Sequence, residues 1–493
     1  NADYKRLIEE AKNGKLQEEI KIPQKFINIL RNYQKDGIQW MFFLRKYGFG
    51  GILADDMGLG KTLQVLVLLA MIPDKGPSLI ICPKTLIHNW YNEIEKFVPE
   101  LKVLIACGGS EERIEKISQA EKYDVVITSY PLIQKDIEEY KKIKFVYCII
   151  DEAQYIKNPT TRTAKCVKAI KSKNRLALTG TPIENSIFDL WSVFDFIMPG
   201  FLGNEHYFRA TYGNTNKELN SEENKELLMG LSKKIKPFVL RRTKEEILKD
   251  LPPKIEQIRW SELKAIQLAL YTKMLEKIRG QIYDAVAAKG FGNSQIEILA
   301  GLTRLRQICN HPGLVNDKFL DMKNVSGKLE LFEELLDECI EGGHKILVFS
   351  QFVKMLDILE RFLESKNICY CRLDGQSNNR EVIINNFNSN STVKVFLISL
   401  RAGGFGLNLT SADTVILYDP WWNPMVEDQA SDRAHRIGQS KVVNVYRLIT
   451  KGTVEEKIQK LQERKRMLFD NVIEESGDFF RKLTWEDLKD ILE

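Results

Sequence analysis

The sequence predicts an α/β protein with two parallel sheets, each carried by its own block of chain and each bearing a helical insertion. Two observations predict it. Short apolar, β-branched runs ending in turn or acidic residues alternate with helical stretches in two blocks, and a long helical region separates those blocks. Apolar runs of about four to eight residues suit strands buried on both faces, and alternation with helices suits parallel order. A chain of 493 residues, 44% hydrophobic, has apolar mass for several cores.

The first block holds "FGGILAD", "SLIICP", "KVLIAC", "DVVITSY", "KFVYCIID" and "NRLALTG" between residues 49 and 180. The second holds "KILVFSQF", "ICYCRLDG", "VKVFLISL", "TVILYD" and "VNVYRLIT" between residues 345 and 450. Between them the chain reads as mostly helical, and the paired prolines of "DLPPK" mark a linker. The expected organisation is a first lobe over 1–185, its helical insertion over 186–250 and a linker at 251–254. A second helical insertion over 255–340, a second lobe over 341–455 and C-terminal helices over 456–493, packed back on the body, complete it.

The whole chain excludes some classes. No run approaches the roughly 18 apolar residues of a membrane span, and "VLVLLAMI" is too short. With no leader visible, a cytosolic setting is expected, and the initial Asn suggests a fragment whose natural N-terminus is missing. The eight cysteines are scattered without a C-x-x-C, against a zinc site or disulfide framework. Cys369 and Cys371 are expected to pack on one face of a strand. A net charge of +5 permits nucleic-acid binding but equally fits an ordinary solvated surface.

The chemistry begins at "LADDMGLGKT". A strand candidate, a glycine-bearing turn and a helix candidate follow one another, so backbone N–H groups and a helix N-terminus converge where a phosphate would sit. Gly58 and Gly60 allow close approach, Lys61 suits the β- and γ-phosphates, and Thr62 suits Mg2+. The strict pattern has a glycine six places before the lysine, where this chain has Asp55. Asp55 and Asp56 should repel a polyanion, so they are expected to turn toward a basic or amide partner.

A nucleotide hydrolase also needs acid on a neighbouring strand. The apolar run "FVYCIIDEAQ" ends in adjacent carboxylates, Asp151 for the metal shell and Glu152 to polarise the attacking water. Strand ends are often acidic without function, so this pair gains its meaning from the loop that precedes it. In "NPMVEDQASDRAHRIGQ", Asn423 suits an N-cap and Pro424 the first helical position. Gln429, Arg433 and Arg436 then share one helical face. A solvated charged helix would look the same, but cationic fingers on the γ-phosphate fit the company of the other two elements.

The ordered series "RNYQKDGIQWM", "LADDMGLGKTLQ", "LIICPKTLIHNW", "DVVITSY", "DEAQ", "LTGTPIEN", "FVLRRTKEEI", "ILVFSQF", "RLDGQ", "LISLRAGGFGLNLTSADTVILYDPWWNP", "DQASDRAHRIGQ" and "VYRLITKGTVEEKI" resembles the SWI/SNF-type DNA translocases, a branch of the superfamily-two helicase-like ATPases. The match runs from about residue 30 to 490, and "DPWWNP" before "DRAHRIGQ" is its most specific part. The resemblance implies two RecA-like lobes, and it makes Asp at the first loop position a family trait. It implies ATP and Mg2+ as cofactors and Gln34 as the adenine reader. Gly58, Gly60, Lys61 and Thr62 would hold phosphates and metal, and Asp151 and Glu152 would be metal-shell acid and base. Thr179, Gly180 and Thr181 would couple hydrolysis to DNA. Gly404 and Gly406 would approach nucleotide or DNA, and Gln429, Arg433 and Arg436 would serve the phosphates. Pro83, Lys84, Thr128, Ser129, Ser350, Gln351, Ser399 and Arg401 match positions that touch the DNA backbone. Gln154 stands where the family usually has histidine, which implies altered coupling, and Glu184 stands where glutamine is commoner.

The function expected is ATP-driven translocation on double-stranded DNA, remodelling bound proteins without strand separation, in recombination, repair or transcription. Among relatives, the bare motor looks most like the Rad fifty-four type and its archaeal and bacterial kin. Expected partners are duplex DNA and DNA-bound proteins such as a recombinase or chromatin proteins, with no membrane and a monomeric state. The setting would be the nucleoid-associated cytoplasm in a prokaryote or archaeon, or the nucleus in a eukaryote. The basic stretches Lys236–Lys244 and Arg464–Arg466 would add grip or be ordinary surface. Two alternatives share the sequence: a strand-separating helicase or RNA-dependent ATPase on the same core, and a non-hydrolysing ATP-gated scaffold.

Overall fold

The computed structural model describes residues 20–180, 187–212, 222–247, 252–377, 379–403, 407–421, 424–469 and 485–492. The chain divides into two compact units, residues 1–249 and 250–493. Each holds one sheet, and every strand pairing in both sheets is parallel.

The first unit contributes β1 (Gly51–Leu53), β2 (Ser78–Cys82), β3 (Val103–Ile105), β4 (Val125–Ser129), β5 (Phe145–Asp151), β6 (Ser172–Leu178) and β7 (Val239–Leu240). Their order across the sheet is β3-β4-β2-β5-β6-β1-β7. β2 and β4 are buried at every position, as continuous apolar runs covered on both faces must be. The helix Ile87–Phe97 turns Ile87, Trp90 and Ile94 inward on one stripe, while Lys61–Met71 buries every residue from Gln64 to Leu69. The region 186–250 was expected to be a helical insertion. It holds helices Ile187–Ile197, Glu205–Tyr212, Glu222–Ile235 and Lys244–Ile247, but it also contains β7, which pairs Val239 and Leu240 with Ile52 and Leu53. A two-residue strand leaves no periodicity to read.

The second unit contributes β8 (Lys254–Ser261), β9 (Ile346–Ser350), β10 (Tyr370–Leu373), β11 (Val395–Ser399), β12 (Thr414–Leu417) and β13 (Val443–Thr450), in the order β10-β11-β9-β12-β13-β8. β8 corrects the expectation of a linker at 251–254 followed directly by helices. It pairs along its length with β13, from Val443–Lys254 to Thr450–Ser261. Its polar sequence "KIEQIRWS" suits an edge strand with half its surface in water.

One face of this sheet packs Phe349, Phe387, Phe396 and Leu409, and the other packs Phe332, Met355, Leu359 and Tyr418. A separate cluster joins helices Ala265–Lys289 and Gln295–Asn310 to the terminal helices Val454–Phe469 and Trp485–Leu492, through Tyr271, Leu302, Ile458 and Leu488. Beside it lies a fully buried ion pair. Lys328 Nζ reaches the Glu455 carboxylate at 2.7 and 2.8 Å and Asn310 Oδ1 at 3.0 Å. Cys371 is buried in β10, but Cys369 precedes the strand and is exposed, so the two do not share a packed face. Among the described residues, no helix is long and apolar enough to cross a membrane.

Candidate nucleotide site

Parallel strands present their C-terminal ends at one edge of the sheet, where open α/β sheets bind ligands. In the first unit β1, β6 and β5 stand side by side there and deliver three loops.

The loop after β1 turns through Gly58 and Gly60, whose φ values are +89° and +76°. Gly60 immediately precedes the helix Lys61–Met71. The left-handed backbone at Gly60 favours glycine, and a Cβ there would lie 2.4 Å from Gln34 Nε2 and displace that side chain. Gln34 is buried against this loop. Its Nε2 donates to the Leu59 carbonyl at 3.1 Å and its Oε1 accepts from Arg31 N at 2.9 Å. The Tyr33 hydroxyl donates to the same Leu59 carbonyl at 2.9 Å. The residue expected to read adenine therefore touches the phosphate loop itself.

Lys61 folds back on its own loop. Its ammonium donates to the carbonyl oxygens of Asp55 and Asp56, the latter at 3.3 Å. Burial draws its pKa below the ordinary lysine value, opposed by the charges of Glu152, Asp55, Asp151 and Asp56. Neither aspartate carboxylate faces this ammonium. Asp55, fully buried, accepts from Arg242 Nε at 2.8 Å and from Gln64 Nε2 at 3.1 Å. Asp56 Oδ2 accepts from Lys244 N at 2.9 Å. Each carboxylate thus turns toward a basic or amide partner, as expected.

The loop after β5 begins with the acid pair. Asp151 accepts from Trp90 Nε1 at 2.9 Å and from Glu152 N at 2.9 Å, while its carbonyl accepts from the Tyr130 hydroxyl at 2.6 Å. Glu152 has φ +55° and ψ +63°, a left-handed conformation that costs a non-glycine residue about 1–3 kcal/mol and gathers at functional sites. Burial, and then the charge of Glu152, push the Asp151 carboxyl up to about 7. A buried acid so unfavourably charged suits a cation, and Lys61 already satisfies itself on carbonyls that phosphate oxygens would replace. The lysine on its carbonyls and the buried acid pair thus fit a nucleotide that carries a divalent cation.

Gln154 donates to Glu152 Oε2 at 2.8 Å, so the residue in place of histidine holds the expected base directly. The loop after β6 closes the set. Thr179 N donates to the Leu53 carbonyl at 3.2 Å, and a Cβ on Gly180 would meet Met57 at 3.0 Å. Thr181 lies outside the described residues, as does Glu184.

The expected DNA-contact positions also stand at C-terminal strand ends, but not all offer side chains. After β2, Pro83 is buried and Lys84 exposed. Thr128 and Ser129 at the end of β4 are buried. In the second unit, Ser350 at the end of β9 accepts from Phe352 N at 3.1 Å, and Ser399 at the end of β11 accepts from Ala402 N at 3.2 Å. Both serines are buried caps of their own turns. Gln351 is half-buried, and its N–H donates to Asp419. Arg401 falls in the short helix Leu400–Gly403, while Gly404, Gly406 and Asn423 lie outside the described residues.

The expected helical face of Gln429, Arg433 and Arg436 is corrected. The helix runs only from Pro424 to Ser431, so Gln429 is on it and the arginines sit in the turns beyond. Tertiary bonds end it. The Arg433 carbonyl accepts from Leu409 N at 3.2 Å, and Arg436 Nη1 donates to the Leu407 carbonyl at 3.2 Å. Gln439 Nε2 then holds the carbonyls of Thr410, Ala412 and Ala434. Arg433 is buried and Arg436 half-buried.

Sequence reasoning missed Arg242, Gln64, Trp90, Tyr130 and Gln439. For Arg242 a signal existed: a carboxylate in a phosphate loop requires a cation, and "FVLRRTK" supplies arginines.

Comparison with known proteins places these residues among relatives. Residues 33–314 match the SNF2-related domain and residues 327–438 match the helicase conserved C-terminal domain. The chain is 37% identical over 539 residues to the TATA-binding protein-associated factor MOT1 of Saccharomyces cerevisiae, across 96% of this chain and 29% of that protein. It is 36% identical to the TATA-binding protein-associated factor 172 of Homo sapiens, across 99% of this chain and 30% of that protein. An ATP-dependent helicase of Mycoplasma pneumoniae is 40% identical, across 96% of this chain and 45% of that protein. The chain thus spans less than half the length of each of these curated relatives. Among solved structures, the Sulfolobus solfataricus SWI2/SNF2 ATPase core in complex with dsDNA is 39% identical, covering 97% of this chain and 99% of that chain, with a TM-score of 0.47.

Proposed function

Because the chain belongs to the SNF2-related domain family, with a helicase C-terminal domain following, we propose that it is an ATP-hydrolysing motor on double-stranded DNA that displaces or remodels bound proteins without separating strands. The observation that supports it most is Lys61 resting on the Asp55 and Asp56 carbonyls, close enough to Asp151 and Glu152 to feel both charges.

In this reading, the β- and γ-phosphate oxygens replace those carbonyls as the partners of Lys61. Magnesium, held by Thr62 and Asp151, would neutralise phosphate charge. Glu152 accepts a proton from the water that attacks the γ-phosphorus, and the bond to the bridging oxygen breaks with its electron pair leaving on ADP. Gln154 restrains Glu152 until DNA is bound. Arg433 and Arg436 stabilise charge on the transferring group, and Gln34 reads the adenine. Pro83, Lys84, Thr128, Ser129, Ser350, Gln351, Ser399 and Arg401 are the positions at which the chain would meet the DNA backbone, with the buried threonine and serines acting through their turns and exposed Lys84 directly. Backbone contact without base readout suits a motor that must work on any sequence.

The partner class is a protein bound to duplex DNA. The yeast and human relatives are named for association with a TATA-binding protein, which favours a transcriptional setting over recombination or repair. The test is phosphate release with duplex DNA, single-stranded DNA and RNA at matched nucleotide concentration. Duplex DNA is expected to stimulate most, and strongest stimulation by RNA or a single strand would overturn the reading.

A further inference from the structure

We propose that Arg242 is a positioning residue of the nucleotide site, holding the phosphate loop through Asp55 and linking that loop to the segment by which the chain leaves the first unit. The proposal rests on the ATPase reading above.

Asp55 occupies the loop position that a glycine usually holds, and it is fully buried. Arg242 grips it with two parallel bonds, Nε to Oδ1 at 2.8 Å and Nη2 to Oδ2 at 2.5 Å. Such a fork fixes orientation as well as distance. Gln64, on the helix that starts the phosphate site, bridges the pair, donating to Asp55 at 3.1 Å and accepting from Arg242 at 2.9 Å. The third Arg242 nitrogen donates to the Tyr33 carbonyl, and the guanidinium lies 5.1 Å from the Tyr33 ring centre. Tyr33 precedes Gln34, so one side chain joins the expected adenine reader to the phosphate loop. Gly37 makes room for this cluster, since a Cβ there would fall 2.0 Å from Gln64 Oε1.

The backbone around Arg242 is bonded to the same loop. Ala54 N donates to the Leu240 carbonyl at 2.7 Å and Asp56 N to the Arg242 carbonyl at 3.0 Å. Lys244 N returns a bond to the Asp56 carboxylate at 2.9 Å. Residues 239–247 are the last described stretch before the second unit begins, so the segment that leaves the first unit is bonded to the loop at Leu240, Arg242 and Lys244. Asp55 and Asp56 are also the residues whose carbonyls hold Lys61. A phosphate that draws Lys61 away changes the bonding of the two residues that anchor this segment. Nucleotide binding therefore alters the segment's hydrogen bonding, and Arg242 carries the change.

The test measures binding of a fluorescent ADP analogue and hydrogen exchange over residues 239–247, with and without ADP, on the full chain. Arg242→Gln is expected to weaken ADP by about tenfold, the scale of about 1.4 kcal/mol, and to abolish the ADP-dependent change in exchange. Arg242→Lys keeps the charge but not the fork and should recover part of both. The double variant Asp55→Gly with Arg242→Gln removes the buried carboxylate together with its partner. It should regain the melting temperature lost in Arg242→Gln without regaining the ADP-dependent exchange, which separates positioning from mere stability. Wild-type exchange behaviour in the double variant would overturn the proposal, as would ADP affinity within twofold of wild type in Arg242→Gln. A wild-type chain that binds no adenine nucleotide would overturn the ATPase reading and this proposal with it. Normal wild-type binding with an unaffected Arg242→Gln overturns this proposal alone.

Discussion

The Trp90 indole N–H donates to the Asp151 carboxylate at 2.9 Å, tying the helix that follows exposed Lys84 to the acid at the end of β5. The helix Ile87–Phe97 thus follows directly on the turn that holds an expected DNA contact and is bonded to an expected metal ligand. A hydrogen bond to a charged group is worth about 1.5–3 kcal/mol, so Trp90→Phe, which keeps an aromatic ring in the core, should lower DNA-stimulated kcat roughly tenfold. Steady-state phosphate release across a Mg2+ titration checks this, and the half-saturating Mg2+ concentration should rise as Asp151 loses a fixed orientation.

Gln154 makes a second such bond, to Glu152. Donating an N–H to a carboxylate restrains its orientation. Gln154→Ala should raise ATP hydrolysis without DNA by roughly tenfold, the lower end of the scale of a hydrogen bond to a charged group, and shrink the stimulation by duplex DNA. The ratio of stimulated to basal phosphate release is the measurement. An unchanged ratio would remove Gln154 from the coupling path.

Much of this site was legible in the sequence, and what was not has identifiable causes. The phosphate loop, the acid pair and both sheets announce themselves because glycines, carboxylates and apolar runs are local signals. Arg242 and Asp55 are far apart in the chain and meet only because β7 pairs with β1. The helix through Gln429 ends at Ser431 although no glycine or proline follows until Gly438, because Leu409 and Gln439 capture the carbonyls around the arginines. Strand β8 reads as polar because it lies at the sheet edge. These are tertiary effects, and periodicity carries no trace of them.

His311 gives a pH dependence with a definite sign. It is buried, its Nδ1 accepts from Gly313 N at 3.0 Å, and burial pushes its pKa down from 6.5 to about 4. Between those values the unfolded chain binds a proton that the native chain does not, so stability falls as pH drops from about 6.5 toward 4. The full loss is about 3 kcal/mol. Urea unfolding of the second unit at pH 7 and at pH 4.5 should show it, and His311→Asn, which retains an acceptor without a titrating group, should lose less over the same interval.

The buried Lys328–Glu455 pair predicts non-additive stability. Lys328→Met leaves a buried carboxylate without its cation and should cost about 3–5 kcal/mol. Adding Glu455→Leu removes that charge and should recover most of the loss. Urea unfolding of the single and double variants checks it, with coupling of at least about 1 kcal/mol expected for residues in direct contact.

The central claim is that Glu152 is the base of a hydrolysis stimulated by duplex DNA. The most direct measurement is steady-state phosphate release at saturating ATP, Mg2+ and duplex DNA, for the wild-type chain and for Glu152→Gln. Wild-type release stimulated by the duplex, with loss of roughly a hundredfold or more in the variant, is the predicted result. Equal phosphate release by the two chains would contradict it.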